Sequence, residues 1–339
     1  MLYNIPIESL EERYSAQWNT WFPREFKRHG VDWILMYGHT LSDKIREGAF
    51  LDVISTNYFK ADQLKLIIMY FNQNKIKDGD IFFFHDLWFP GIEMLAYVRD
   101  ALGIDFKIYG CLHAGTWDEY DFLYRMGMRD WGKHVENGWF KFIDGIFVAT
   151  DFHKNLITYK NLVEERKIHV TGFPIFPEDL PLQRRSQKER ENIVVFPHRL
   201  DPEKNPQLFD ELKSRIEGVN DWNFIKTKET CFNKSQYYMM LNKSKIALSF
   251  SDQETWGIAM QEAVFCGCIP LVPDDLSYRE LYPEDFRFSA FGDCVNQLRW
   301  LIENPVIWEQ ALDLREELHI ELASKGQDAI PKMLEIMGF

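Results

Sequence analysis

Short apolar runs alternate with amphipathic helical stretches through both halves of this chain, and that alternation predicts an α/β fold. IFFF at 81–84 and NIVVFP at 192–197 are continuous apolar runs, the kind that a parallel sheet buries on both faces. Between such runs lie stretches of about ten or more residues whose apolar positions share one helical face, the rhythm of β-α-β units. The 339 residues are enough for two domains of ordinary size.

Composition narrows the function classes. The chain carries 27 Phe and 11 Trp, which implies large cores and aromatic-lined clefts. A net charge of −13 argues against a broad grip on nucleic acid and against a polybasic membrane face, while leaving room for a local basic groove. No apolar run reaches the roughly 20 residues that a membrane helix needs. The start, MLYNIPIESLEERYS, has neither a basic flank nor an apolar signal core, so a cytoplasmic protein is expected. Five cysteines are scattered, and Cys266-x-Cys268 lacks the context of a zinc ribbon. They read as reduced, buried thiols, and no metal-ligand spacing is present.

In order, LYNIPI (2–7) reads as the first strand, followed by a helix from about Glu11 to His29 that is apolar through Tyr14, Trp18, Trp21, Phe22 and Phe26. VDWILMY (31–37) reads as a second buried strand, and Asp62 to Asn74 as a helix with Leu64, Ile67, Ile68 and Phe71 on one face. After the Asp78-Gly79-Asp80 turn comes IFFF, with His85 and Asp86 at its carboxyl end. A helix over 92–102 leads to the strand FKIYGCLH (106–113), which ends in His113. Ligands of parallel sheets bind outside the strand carboxyl ends, which makes His85, Asp86 and His113 candidates, although a lone His is more often a packed structural group.

The segment 115–138 holds Trp117, Tyr120, Tyr124 and Trp131 interleaved with Arg125 and Arg129. It reads either as an acceptor surface of stacking rings and guanidinium groups or as a core-packed helical pair with snorkelling arginines. DGIFVA (144–149) is a strand, and Asp151 to Tyr159 a helix with an Asp or Thr cap. After the strand from Lys167 to Val170, TGFPIFP closes the first domain at 177, and EDLPLQRRSQKERE (178–191) reads as a linker whose Arg184, Arg185, Lys188 and Arg190 are solvated.

The second domain opens with NIVVFP and HRLDPEKNPQLF, where Arg199 and Lys204 place two cations near a helix start. Alone these would be surface cations on a loop; near an anionic ligand they would neutralise it. NFIKT (223–227) is a strand, and Gln236 to Lys243 a helix. The chain is organised around the stretch that follows: strand IALSF (246–250), a polar turn, a helix from near Thr255, and a strand over 269–272. Glu254 and Glu262 stand in an E-x7-E spacing, roughly 12 Å apart along a helix axis. Two such carboxylates form a solvated face, or they span a ligand. The amides of Thr255, Trp256 and Gly257 at the helix mouth would suit a phosphate, and Gly257 permits close approach. Glu262 lies among Ile258, Ala259, Ala263, Val264 and Phe265, so it is expected half-buried and in need of a partner, for which a ribose diol would serve. From Phe291 to Met337 the chain reads as helical, broken at Pro305.

At these residues the sequence resembles a known family. S-x-x-E-T-W-G-x-A-x-x-E-A-x-x-C-G-x-I-P-L-V (251–272) and R-L-D-x-x-K-N (199–205) are similar to the donor-site signatures of retaining GT-B glycosyltransferases of family four. C-G-C-I-P-L-V-P-D-D-L-S-Y-R-E-L-Y-P (266–283) most resembles the branch of queuosine-tRNA mannosyltransferases. The resemblance covers the C-terminal half and is weak over the N-terminal half. There, ESLEER stands where the family often has a glycine-rich loop, with Arg13, Ser15 and Gln17 as substitutes or as a solvated helix start.

The resemblance implies two Rossmann-like domains whose parallel sheets face a central cleft. Domain 1–177 takes the acceptor, 178–191 links, 192–304 binds the donor, and 305–339 returns as helices to the first domain. It implies transfer of a sugar, with retention, from a UDP- or GDP-sugar co-substrate to a hydroxyl, without cofactor or metal. Arg199, Lys204 and the amides of Thr255, Trp256, Gly257 and Ile258 would hold the diphosphate, Glu254 the sugar and Glu262 the ribose. His113 would hold the sugar from the first domain. Asp86, Trp117, Arg125 and Arg129 are the acceptor candidates. The acceptor would be a modified nucleobase, in tRNA or in hydroxymethylpyrimidine DNA of a phage acting in host cytoplasm. The acidic charge favours a glycan or small molecule instead, and a non-transferase of the same fold, an epimerase or a sugar-nucleotide-binding module, is the other class.

Overall fold

The computed structural model describes residues 1–9, 14–41, 52–113, 115–183, 185–216 and 221–339. Arg13 and Arg184, both named from the sequence, lie outside them. The chain divides into two compact units, Met1–Pro174 with Asp328–Phe339, and Ile175–Gln327. The second unit therefore includes the segment read as a linker.

The first unit is built on β1 (Leu2–Ile5), β2 (Trp33–Leu35), β3 (Ile81–Phe84), β4 (Lys107–Cys111), β5 (Gly145–Val148) and β6 (Ile168–Val170). All pair in parallel, in the order β2-β1-β3-β4-β5-β6. The crossovers run through α1 (Tyr14–Arg28), α2 (Val53–Asn72), α3 (Glu93–Leu102), α4 (Arg129–Phe142) and α5 (Asp151–Lys160). Alternation along β3 loads both faces of the sheet. Phe82 and Phe84 join the core that includes Ile67 and Phe71 of α2, and Phe83 meets Phe22 of α1 with ring centroids 5.2 Å apart. Helix α1 forms as predicted around buried Trp18, Trp21, Phe22 and Phe26.

Two readings of this unit need correction. VDWILMY supplies not a buried strand but a three-residue edge strand, and its Leu35 is exposed because the edge leaves one side uncovered. Helix α2 starts nine residues before Asp62, at an N-cap where the Asp52 carboxylate accepts from the amides of Ile54 and Ser55, both at 3.0 Å.

The second unit is built on β7 (Ile193–Phe196), β8 (Asn223–Lys226), β9 (Ile246–Leu248), β10 (Ile269–Pro273) and β11 (Arg287–Phe288), parallel in the order β11-β10-β9-β7-β8. Its helices are α6 (Pro206–Ile216), α7 (Thr227–Thr230), α8 (Lys234–Lys243), α9 (Ile258–Phe265), α10 (Tyr278–Leu281), α11 (Phe291–Glu303) and α12 (Pro305–Gln327). Pro305 opens α12, where its missing N–H costs nothing. The last helix, α13 (Ala329–Met337), packs on α1 of the first unit.

Arg190, read as solvated, is buried. It donates to the carbonyls of Ser244 (2.9 Å) and Cys266, capping the chain where α9 ends.

The topology decides where ligands can sit. In the first unit β1 lies between β2 and β3, and in the second β7 lies between β8 and β9. In each, the chain leaves a central strand for one side and later returns to the other. Loops diverge from such a switch point and leave a crevice at the strand carboxyl ends.

Candidate functional site

The switch point of the second unit gathers the loop after β7, carrying His198, Arg199 and Lys204, and the loop after β9, carrying Ser249 to Gly257. The two loops are stitched together. Asp252 N donates to Glu203 O at 2.8 Å, and Asn205 Nδ2 to Phe250 O at 2.9 Å and Asp252 Oδ2 at 2.8 Å. Asn205 takes the left-handed conformation (φ 52°), which turns the chain from the Pro202–Lys204 turn into α6. Asparagine tolerates this better than most residues.

At the centre lies a buried ion pair. Lys204 Nζ donates to Glu254 Oε1 at 2.8 Å and to the carbonyl of Gln253. Lys204 is 5% exposed, and Glu254 is its counter-ion. Burial works against the Glu254 charge, but the Lys204 ammonium outweighs it and holds the carboxyl below its usual range. His198 Nδ1 lies 3.8 Å from Glu254 Oε1, and burial pulls the imidazole down to about 3, so it is neutral at pH 7. Tyr278 and Tyr282 flank the same charge, and burial followed by Glu254 raises both hydroxyls well above the usual range. Tyr278 shares a hydrogen bond with Ser249 Oγ at 2.9 Å. Arg199 pairs with Asp201 (3.3 Å) and Glu203 (3.0 Å).

Helix α9 starts three residues later than its sequence suggests. Thr255 and Trp256 precede it, and Gly257 caps it in the left-handed region (φ 71°). Gly257 O accepts from Met260 N and Gln261 N, both at 3.1 Å, so the amides ahead of that first turn are those of Ile258 and Ala259. The predicted trio of Thr255, Trp256 and Gly257 is corrected accordingly, and Glu254 lies on the loop, where the axial spacing to Glu262 does not apply. The helix stops short of Thr255 because Gly257, in the left-handed region, breaks the helical backbone there. Trp256 is buried (3% exposed) and supplies its carbonyl to Gln261 Nε2 at 2.6 Å.

Glu262 is more buried than expected, at 5% exposed, and its partners come from α8. Tyr237 donates to Oε2 at 3.0 Å, Tyr238 to Oε1 at 2.5 Å, and Lys234 Nζ lies 3.6 Å away. The protein itself supplies the partner that the sequence left to a ribose.

In the first unit His113 is locked. Its Nε2 donates to the carbonyl of His85 at 2.8 Å, which leaves Nδ1 to accept from the Tyr14 hydroxyl at 3.4 Å, and its ring packs on Phe173 (4.6 Å). Burial lowers its pKa, opposed by Asp86 and the His85 carbonyl. His85 is fully buried against Asn4 Oδ1 at 2.7 Å. Asp86 pairs with Lys60 at 3.1 Å.

The acceptor candidates of 115–138 separate. Trp117 is buried (4% exposed) against His153, so it is a core residue and not an acceptor platform. Arg125 and Arg129 are exposed, with Arg129 over the Tyr124 ring at 5.1 Å. Glu136, 1% exposed, anchors this segment by accepting from Thr116 N and Oγ1 (2.7 Å each) and Trp88 Nε1 (3.0 Å).

Sequence reasoning passed over His198, Tyr278 and Tyr282. Each had a signal: His198 follows a buried strand directly, and both tyrosines fall inside the quoted 266–283 motif. Among the described residues, no group of three or more His, Cys, Asp or Glu is placed to hold a metal, and no helix is long and apolar enough to cross a membrane.

No family model matches the chain. It is 25% identical to the tRNA-queuosine alpha-mannosyltransferase of Drosophila melanogaster over 207 residues, 51% of this chain and 54% of that protein. The chain thus spans about half the length of this curated relative. Its structure is similar to Staphylococcus aureus TarM, solved with UDP (TM-score 0.59, 17% identity, 82% of this chain and 59% of that one). It is also similar to sucrose-phosphate synthase of Thermosynechococcus elongatus (TM-score 0.71, 11% identity, 99% and 97%). The lipopolysaccharide outer core galactosyltransferase WaaB gives a TM-score of 0.57 at 14% identity, covering 98% and 99%. These likenesses establish the fold: two parallel-sheet, Rossmann-like domains of the GT-B class.

Proposed function

We propose that this protein is a glycosyltransferase that moves a sugar from a nucleotide-diphosphate donor to an acceptor hydroxyl. The observation that carries the reading is the Lys204–Glu254 pair at 2.8 Å, assembled from two loops at the switch point of the second unit. A buried ion pair is a costly way to hold two loops together. It is well suited to a ligand that carries both hydroxyls and phosphate.

Breaking the anomeric C–O bond builds negative charge on the leaving diphosphate. Lys204, Arg199 and the amides of Ile258 and Ala259 would stabilise it, and one preorganised donor of this kind is worth about 3–4 kcal/mol of barrier. Glu254 would orient sugar hydroxyls, and Glu262, beyond its bonds to Tyr237 and Tyr238, would accept from the ribose. Protein cations neutralising the diphosphate would do the work that other transferases give to a metal, and retention of configuration is part of the proposal.

The favoured acceptor is a modified nucleobase in tRNA or DNA, supported by the similarity to the tRNA-queuosine mannosyltransferase over part of the chain. The net charge of −13 favours the second reading, a glycan or small molecule. Salt separates them: turnover on a polyanion falls steeply between about 50 and 200 mM salt, while turnover on a neutral acceptor hardly changes.

The test is a thermal-shift panel of UDP-, GDP- and ADP-sugars. One nucleotide class should raise the melting temperature by several degrees at about 100-fold excess over its dissociation constant. Arg199→Gln and Lys204→Met should each reduce that shift, and the best donor should release nucleoside diphosphate with one acceptor of a tRNA, modified-DNA and glycan panel. A shift with no release on any acceptor would identify a binding module; no shift with any nucleotide-sugar would overturn the reading.

A further inference from the structure

The loop after β9 runs over 249–257 and ends at the Ile258 and Ala259 amides of α9. Because β9 lies between β7 and β10, the loops after those two strands flank it. On the β7 side Lys204 restrains the loop at its middle, through Glu254 at 2.8 Å. On the β10 side stands Tyr278, the first residue of α10, which is 0% exposed. The chain reaches it through Leu276 in the left-handed region (φ 56°), a conformation that few residues other than glycine adopt and that persists only where the surroundings impose it.

Tyr278 touches both ends of that loop. At the start, Ser249 Oγ donates its proton to Ser251 Oγ at 3.1 Å and accepts from Ser251 N at 3.3 Å. A serine hydroxyl has one donor and two acceptor positions. The Tyr278 hydroxyl, 2.9 Å away, is therefore the donor to the second acceptor position. At the end of the loop, Gly257 (φ 71°) lies against the same ring, where an added Cβ would stand 3.3 Å from Cε1. Tyr282 packs edge-on against Tyr278, with ring centroids 5.5 Å apart.

We propose that Tyr278 is a positioning residue for the donor diphosphate, fixing the 249–257 loop at both ends so that the Ile258 and Ala259 amides are held ready for phosphate. Packing alone does not ask for its hydroxyl. A phenylalanine would fill nearly the same volume, and a hydroxyl withdrawn from water is a cost unless it finds a partner. Ser249 is that partner. Ser249 and Ser251 are themselves 0% and 3% exposed, so the three hydroxyls form one buried chain at the base of the loop. The assignment to a diphosphate rests on the glycosyl-transfer reading; the tether itself does not.

The test is isothermal titration of the full chain with UDP, GDP and ADP and with the matching monophosphates. Wild type should bind one diphosphate more tightly than its monophosphate. Tyr278→Phe should lower that preference about fivefold, the worth of one hydrogen bond, while monophosphate affinity of the folded protein stays within about twofold. A variant that merely loosened the domain would weaken both nucleotides alike. Ser249→Ala removes the same tether from its other end, so it should match Tyr278→Phe, and the double variant should lose no more than either. Ser249→Ala also carries the test where Tyr278→Phe does not fold. An unchanged preference in a folded variant, equal losses for both nucleotides, or additive losses in the double variant overturn the assignment and leave the glycosyl-transfer reading in place. Wild type that binds no diphosphate, or binds it no better than the monophosphate, overturns the assignment too, and in the first case the glycosyl-transfer reading with it.

Discussion

Glu262 has no water to fall back on. At 5% exposed it holds Tyr237 and Tyr238 by their hydroxyls, and burial, then Glu262 itself, raises Tyr237 well above the usual tyrosine range. Removing the carboxylate strands the buried Tyr238 hydroxyl, which costs about 1–3 kcal/mol when unsatisfied, and takes away the partner of the half-buried Tyr237. Glu262→Ala should therefore lower unfolding stability by about 2–4 kcal/mol in urea melts, and should weaken nucleotide affinity at least tenfold in a titration of the folded fraction. Lost stability with unchanged affinity would retire the ribose role and leave a purely structural glutamate. The sequence made the need for a partner legible, because apolar neighbours flank the residue. It could not name the tyrosines: they lie 24 and 25 positions away on α8, and only the fold brings the two helices together.

The same limit appears one level up, in the helices. Strands β3 and β7 were legible because continuous apolar runs leave little choice of structure. Helix α9 was misjudged at its start because Glu254-Thr255-Trp256 has acceptable helix formers, while the stop comes from Gly257 at φ 71°. Helix α2 was begun too late because the buried face of its first half is polar, with Ser55, Thr56, Lys60 and Gln63, and apolar periodicity cannot see such a face. Gly257 gives the test at this scale. An added Cβ would strain the left-handed backbone by about 1–2 kcal/mol and sit 3.3 Å from the Tyr278 ring. Gly257→Ala should destabilise by about that amount or slightly more, and should lower affinity for a diphosphate by displacing the Ile258 and Ala259 amides. Gly292→Ala, with nothing within 4 Å of its Cβ and a helical backbone in α11, is the control expected to leave affinity unchanged and to raise stability by up to about 1 kcal/mol.

Across the whole molecule, buried neutral histidines set the acid limit. Burial, then the neighbouring His113, pulls His85 and His153 down to about 3, and burial pulls His198 to about 3 against the opposing charge of Glu254. An unfolded histidine titrates near 6.5. Between those values the unfolded chain binds protons that the native chain refuses, so stability is complete above about pH 6.5 and falls as the pH drops. The slope approaches about 1.4 kcal/mol per pH unit for each such group. His113, His169 and His319 are shifted in the same direction by burial and add to the loss. Carboxylates with ordinary pKa values contribute little above about pH 5.5, although burial raises that of Glu136, which makes pH 7.5 to 5.5 the informative range. Four of the six groups belong to the first unit and two to the second. Urea melts over this range should therefore show the transition of the first unit moving more with pH, read through near-ultraviolet signals of its tryptophans. His153→Phe should reduce that dependence by about one histidine's share. His198→Phe should leave it intact while flattening the transition of the second unit. Equal acid sensitivity of the two units, or no change in slope for either variant, would mean that these imidazoles take up protons in the native state, and the neutral His198 beside Glu254 would have to be abandoned with them.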